Sequence, residues 1–222
     1  MQNVTRAIIA AAGMGTRLGL GMPKCMIEIE GKTILTRLIE MLTPHVDLIH
    51  VVVGYREEMV IDYCAQHHRN VVLVRNPDYR TTNTAFSFAK GAANLSEKVI
   101  YMDGDLLVSP DSLESFLRAA ASKEILVGLT DAKSENAVFV GCEEEAGKLI
   151  ITEFSRKQIS AFEWANVVTG PANLLADAPG YVFERLVSQL PLEGKLLELA
   201  EVDTAADLVA ARQFVNDLAS TR

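Results

Sequence analysis

Two short segments carry most of the chemistry in this sequence. The first is Ala11-Ala12-Gly13-Met14-Gly15-Thr16-Arg17-Leu18, followed by Pro23-Lys24. A glycine-rich turn directly after an apolar stretch lets backbone N–H groups approach phosphate oxygens with no Cβ in the way, and Arg17 and Lys24 supply positive charge beside it. Such a turn can cradle a triphosphate. Two commoner phosphate loops are excluded: G-x-x-x-x-G-K-[ST] is absent, and Leu18 stands where a dinucleotide fingerprint has its third glycine. The second segment is Asp103-Gly104-Asp105. Carboxylates two residues apart fall on one side of an extended chain, and a hard cation such as Mg²⁺ takes carboxylate oxygens together with substrate phosphates.

These segments need a frame. Residues 7–12 form a continuous apolar stretch that reads as a first buried strand, and residues 35–42 repeat apolar side chains at helical spacing until Pro44. Further along, 48–53 reads as a strand, 57–66 as a helix, 71–74 as a strand and 85–95 as a helix. A strand over 99–102 runs into Asp103, a helix capped by Ser109 or Asp111 continues through Ala121, and 125–129 reads as a strand. This alternation predicts an α/β fold, Rossmann-like and doubly wound, with a mainly parallel mixed sheet. Asp103 then falls at the carboxyl end of its strand, where open α/β sheets bind ligands. Over 137–173 the pattern changes to short β-rich pieces with a turn at Glu145-Ala146-Gly147-Lys148, which predicts a small β-rich insertion. Helical patterning returns over 181–190 and 204–218, the latter with Thr204 as cap and Asp207 in its first turn.

The chain is 222 residues long and 49% hydrophobic, with a mean hydropathy of +0.17, enough for a sizeable core. A single domain over 1–222 is expected, with residues 1–130 as the nucleotide-binding half and 131–222 as the acceptor-binding and metal-completing half. The balance of 21 basic against 29 acidic side chains, a net charge of −8, argues against nucleic acid as a partner. No apolar run approaches the ~18 residues of a membrane span. Three cysteines, odd in number and far apart, fit reduced thiols and a cytoplasmic location. The four histidines have no metal-ligand spacing.

The opening motif resembles that of the nucleotidyltransferase family, A-G-x-G-T-R-(several)-P-K, whose members include sugar-1-phosphate nucleotidylyltransferases and small bacterial CTP:phosphocholine and CTP:phosphonate cytidylyltransferases. Ala12, Gly13, Gly15, Thr16, Arg17, Pro23 and Lys24 meet every fixed position. The resemblance implies a fold of the nucleotide-diphospho-sugar transferase type. It also implies that 11–16 wraps the triphosphate, that Arg17 lies along the leaving pyrophosphate, and that Lys24 contacts the reacting phosphates. The family's metal-binding Asp aligns with Asp105, with Asp103 beside the nucleotide. A second carboxylate is expected from far along the chain, because more than one side chain must fix the cation. Glu201-Val202-Asp203-Thr204 enters the last helix as the family's late acidic element does, and Asp203 is the expected ligand.

Two further segments resemble the phosphocholine and phosphonate branch. Asn76-Pro77-Asp78-Tyr79-Arg80-Thr81-Thr82-Asn83-Thr84-Ala85-Phe86-Ser87 is similar to N-P-x-Y-x-x-T-N-N-x-x-S, departing at Thr84. It implies a nucleotide contact at Asn83 and acceptor contacts at Tyr79 and Ser87. Glu153-Phe154-Ser155-Arg156-Lys157-Gln158-Ile159 is similar to the S-K-K-I element and implies an acceptor contact at Lys157. Trp164, the only tryptophan, could frame a quaternary ammonium with Tyr79, Phe86 or Tyr55.

The implied reaction is Mg²⁺-dependent transfer of a nucleoside monophosphate, with CTP the favoured donor. The acceptor is a small phosphate or phosphonate such as phosphocholine or 2-aminoethylphosphonate. The length of the chain favours this branch. Sugar-1-phosphate transfer from UTP or dTTP and a non-catalytic nucleotide-sensing domain remain as alternatives, and the oligomeric state is open, a homodimer included.

Overall fold

The computed structural model describes residues 3–15, 18–133, 137–176 and 180–220. Thr16 and Arg17, both expected at the nucleotide, lie outside the described residues. The chain begins with β1 (Arg6–Ala11), a 3₁₀ turn (Lys24–Met26), β2 (Glu28–Ile29), β3 (Lys32–Thr33), α1 (Ile34–Leu42) and β4 (Leu48–Val53). It continues through α2 (Glu57–His67), β5 (Val71–Arg75), α3 (Thr84–Gly91), β6 (Lys98–Asp103), β7 (Leu106–Val108), α4 (Pro110–Ala120) and β8 (Leu126–Asp131). The last part holds β9 (Phe139–Glu145), β10 (Lys148–Ser155), β11 (Phe162–Pro171), α5 (Val182–Val187), β12 (Leu192–Leu196), β13 (Leu199–Glu201) and α6 (Ala205–Ser220).

Nine strands form one mixed sheet in the order β5-β4-β1-β6-β11-β8-β12-β10-β9. The first four are mutually parallel, as crossovers through helices require. Period-2 alternation then sends β1 side chains to two layers. Ala7, Ile9 and Ala11 enter a core shared with α1, α2 and α4, while Ile8 enters a second core with α3 and α5. Both faces of β1, β4 and β6 are covered, so these strands are apolar along most of their length with His50 as a buried exception, and Ile8, Ile9, Val51, Val52 and Ile100 are fully buried; β5, at the sheet edge, is only part-buried.

From β1 the chain winds to one side through β4 and β5, then returns to the other side of β1 as β6. This reversal is the topological switch point, and a crevice opens there beyond the carboxyl ends Ala11 and Asp103. Lys98 begins β6 buried, and its Nζ donates to the carbonyls of Ala120, at 2.5 Å, and Lys123. It thereby ties the start of β6 to the last residue of α4 and to the turn that follows it.

The β9–β10 hairpin turns at Ala146 (φ 51°) and Gly147 (φ 75°), where the sequence placed it. These strands and β11 extend the main sheet. Helix α3 is shorter than expected: the chain leaves it after Gly91, and Asn94 turns into the left-handed region at φ 64°. Gly91 itself lies against the sheet, where a Cβ would come within 2.4 Å of Ile8 Cγ2. Helix α5 also stops early, and Leu192–Leu196 forms β12, an unforeseen strand between β8 and β10. The three cysteines are unpaired, and no described helix is long and apolar enough to cross a membrane.

Candidate active site

The loop after β1 is held from both sides. The Ala12 carbonyl accepts the Tyr55 N–H at 3.0 Å. Gly54 permits this approach, since a Cβ there would lie 2.9 Å from Ala12 Cβ. Gly15 has φ +57°, which favours a residue without a side chain, and its α-carbon faces the stem of Lys24. The 3₁₀ turn thus brings Lys24 under the loop.

Opposite the loop, Gly104 N–H donates to the Ala10 carbonyl at 2.9 Å, and a Cβ on Gly104 would lie 2.7 Å from that oxygen. Only glycine lets the chain turn so closely past β1, and the turn delivers Asp103 and Asp105 to the crevice. The other acidic segment arrives on β13, antiparallel to β7 with Glu201 opposite Leu106. Asp207 completes the placement: its Oδ2 accepts the Asp203 N–H at 3.0 Å and the Thr204 N–H at 2.7 Å at the entry to α6. The expected roles of Thr204 and Asp207 at the start of that helix are both met.

Lys24 Nζ donates to Asp105 Oδ2 at 2.8 Å and to Asp203 Oδ1. Asp105, Glu201 and Asp203 each offer a carboxylate oxygen, and these oxygens lie within 4.8 Å of one another. Burial opposes charge on Lys24, yet the Asp105 and Asp203 carboxylates outweigh it and push the ammonium up to about 12. Burial, then repulsion from Asp105 and Asp203, pushes Glu201 up to about 8. Burial, with the Asp105 and Glu201 charges, likewise holds Asp103 well above the usual carboxylate range. The cluster is therefore short of positive charge.

A cleft of about 390 Å³ joins these parts. Its lining includes the expected Ala11, Ala12, Gly13, Met14, Gly15, Lys24, Tyr79, Asn83, Ser87, Asp103, Asp105 and Asp203. Asn83 caps α3, accepting the Phe86 N–H at 3.2 Å while its amide donates to the Gly180 carbonyl at 2.5 Å. Ser87 is buried and accepts from the Asn76 amide at 3.0 Å. Tyr79 stands 6.3 Å from the Tyr55 ring and carries the Arg80 guanidinium over its face. Thr84, which departs from the family segment, is the first residue of α3 and also lines the cleft. Lys157 and Trp164 do not join this lining: Lys157 is exposed in the turn between β10 and β11, and Trp164 packs part-buried against the second core. Glu201 was not singled out from the sequence, although it stands two residues from Asp203 as Asp103 does from Asp105.

A Rossmann-like α/β fold with a glycine-rich loop facing a carboxylate cluster at its switch point defines a nucleotide-binding class. Within that class the chain belongs to the MobA-like NTP transferase domain family, which it matches over residues 7–179. It is 30% identical over 204 residues to the bifunctional protein GlmU of Methanococcus vannielii, covering 88% of this chain and 46% of that protein. The chain spans less than half the length of the curated relatives it matches. Among solved structures it resembles the UDP-glucose pyrophosphorylase of Acinetobacter baumanii, with a TM-score of 0.79 at 11% identity over 99% of this chain and 100% of that one. It also resembles the CTP:phosphocholine cytidylyltransferase LicC of Streptococcus pneumoniae, with a TM-score of 0.74 at 17% identity over 96% and 99%. At these identities the likeness is one of fold.

Proposed function

We propose that the protein catalyses metal-dependent nucleotidyl transfer. A nucleoside monophosphate passes from a triphosphate, with CTP favoured, to a small phosphate or phosphonate acceptor, and pyrophosphate leaves. The observation that carries this reading is Lys24, set between Asp105 and Asp203 beneath the glycine-rich loop. The donor set fits Mg²⁺: Asp105 Oδ1 is buried without a hydrogen-bond partner among the described residues, and all the candidate ligand atoms are carboxylate oxygens. Asp105 and Asp203 would hold the ion, with Glu201 beside them. When bound, Mg²⁺ supplies positive charge to the phosphates around the reacting phosphorus.

An acceptor oxygen that is already ionised at neutral pH attacks the α-phosphorus, so no general base is needed. The task of the protein is to bring two anions together in line and to neutralise the charge that builds up. Backbone N–H groups of residues 12–15 face the triphosphate, Lys24 meets the reacting phosphates, and Arg17 follows the leaving pyrophosphate. Three free thiols suit a reducing, cytoplasmic setting.

Two acceptor classes remain in view. Tyr79 with Tyr55 offers aromatic faces for the cationic end of phosphocholine or 2-aminoethylphosphonate. A sugar 1-phosphate is favoured by the hydroxyl and amide lining from Thr82, Asn83, Thr84 and Ser87, and by the likeness to a UDP-glucose pyrophosphorylase. The test is pyrophosphate release with CTP, UTP, dTTP, GTP and ATP against phosphocholine, 2-aminoethylphosphonate and several sugar 1-phosphates, with and without Mg²⁺. Metal-dependent release with CTP and a small phospho-acceptor is expected. Release with a sugar 1-phosphate alone would keep the reaction and replace the acceptor. Nucleotide binding by the folded protein with no release under any condition would overturn the reaction in favour of a sensor.

A further inference from the structure

Strand β11 contains an irregularity aimed at the carboxylate cluster. Trp164 pairs with Leu129 and Val168 with Val127, so three residues of β11 bulge opposite Gly128 of β8. Gly128 leaves room for the bulge, since a Cβ there would lie 2.7 Å from Leu197 Cδ1 and 3.0 Å from the Val167 carbonyl oxygen. The other edge of β11 stays in register, with Val167 beside Met102, one residue before Asp103. At the centre of the bulge Asn166 has φ 54°, a left-handed conformation inside a strand. Bulges turn a side chain away from the direction the pleat would give it, and asparagine tolerates this backbone better than most residues. The Asn166 amide donates from Nδ2 to Glu201 Oε2 at 3.3 Å.

We infer that Asn166 is a positioning residue that orients the Glu201 carboxylate toward the ion held by Asp105 and Asp203. This rests on the reading of that cluster as a metal site. A hydrogen bond to one carboxylate oxygen fixes the rotation of the group and leaves the other oxygen for the metal. Loss of a partner of this kind typically costs about 10- to 100-fold in metal affinity. The bulge would then be kept for the direction it gives one amide, because a regular strand would pair more of its backbone with β8.

The test reads binding of Mn²⁺ alone, by electron paramagnetic resonance, together with thermal midpoints of the metal-free proteins. Asn166→Gly keeps a backbone suited to the left-handed region and removes the amide. Asn94→Gly, at φ 64° in an exposed turn, controls for the backbone change. Asn166→Gly is expected to weaken Mn²⁺ binding about tenfold with its midpoint near wild type, and Asn94→Gly to leave binding unchanged. Since Asn166 acts through Glu201, the substitution should have no further effect on Mn²⁺ binding in a Glu201→Gln background. That cycle decides the matter even where Asn166→Gly lowers stability. Independent, additive effects of the two substitutions, unchanged Mn²⁺ binding in Asn166→Gly, or a wild-type protein that binds no Mn²⁺ would each overturn the inference. A wild-type protein silent in pyrophosphate release, yet coupled in the cycle, would fail the proposed reaction and leave Asn166 in its role.

Discussion

The Val202 N–H donates to the Asp105 carbonyl at 3.1 Å. This bond continues the β7–β13 ladder by one step and locks two acidic segments from distant parts of the chain side by side. It sets Asp105 and Asp203 within reach of the same lysine, and consequences follow for each partner.

Lys24→Ala should reduce pyrophosphate release by at least about a hundredfold, the scale of losing one preorganised electrostatic contact. The fold should persist, because the sheet and both cores are built elsewhere. Removing the ammonium leaves Asp105 and Asp203 facing each other uncompensated, so Mg²⁺ should raise the thermal midpoint of the variant more than that of wild type. Near-wild-type turnover in Lys24→Ala would refute the assignment. Asp105→Asn is expected to abolish turnover, and chelation of the metal should do the same to the unmodified protein.

Gly104→Ala places a Cβ against the Ala10 carbonyl, 2.7 Å away. Backbone cannot give way there without parting β1 from β6. A loss of about 1 to 3 kcal/mol is expected in denaturant unfolding, with activity reduced more than stability because Asp103 and Asp105 move with the turn. A variant of wild-type stability would show that the turn is looser than the structure has it.

Lys98→Met tests the buried lysine that closes α4. The methionine fills similar volume but donates nothing to the Ala120 and Lys123 carbonyls. About 1 to 3 kcal/mol of stability should be lost, while turnover per folded molecule stays unchanged because Lys98 lies at the amino end of β6, away from the crevice.

His68 gives the expected acid response. Its Nε2 is 2.8 Å from Thr36 Oγ1, and burial, helped by His67 against the opposing Glu40, lowers its pKa below 6.5. The unfolded chain therefore binds more protons than the folded one below about pH 6.5, and the contribution of His68 is lost as pH falls through that range. Urea unfolding at pH 7 and pH 5 should show a smaller acid loss in His68→Gln than in wild type. Equal losses would remove His68 from the account.

Legibility in the sequence followed burial. Strands β1, β4 and β6 lie between helical layers, so their apolar runs stand out, and their boundaries, like those of the β-branched edge strand β5, were read to within a residue or so. Strand β12 was missed because Leu192-Glu193-Gly194-Lys195-Leu196 carries two charged residues and a glycine. That glycine is there because a Cβ would strike Leu129 Cδ1 at 2.5 Å. Residues 12–15, Lys24, Asp105 and Asp203 stood out in the sequence by residue type and spacing, and the structure gathers them around one cleft. Glu201 escaped because three residues of β13 give no periodicity, and without a strand there was no face to assign. Asn166 left no signal at all, since a bulge depends on the partner strand.

All nine strands of the main sheet lie within residues 6–196, yet Glu201 and Asp203 follow them. The main sheet can therefore pair without this last segment, whereas the first core draws Leu197, Leu199, Val202 and Ala211 from it. The site is completed when β13 docks on β7 and Asp203 reaches Lys24, a contact spanning 179 residues. Loosening of this late segment would therefore silence the site while leaving the main sheet paired.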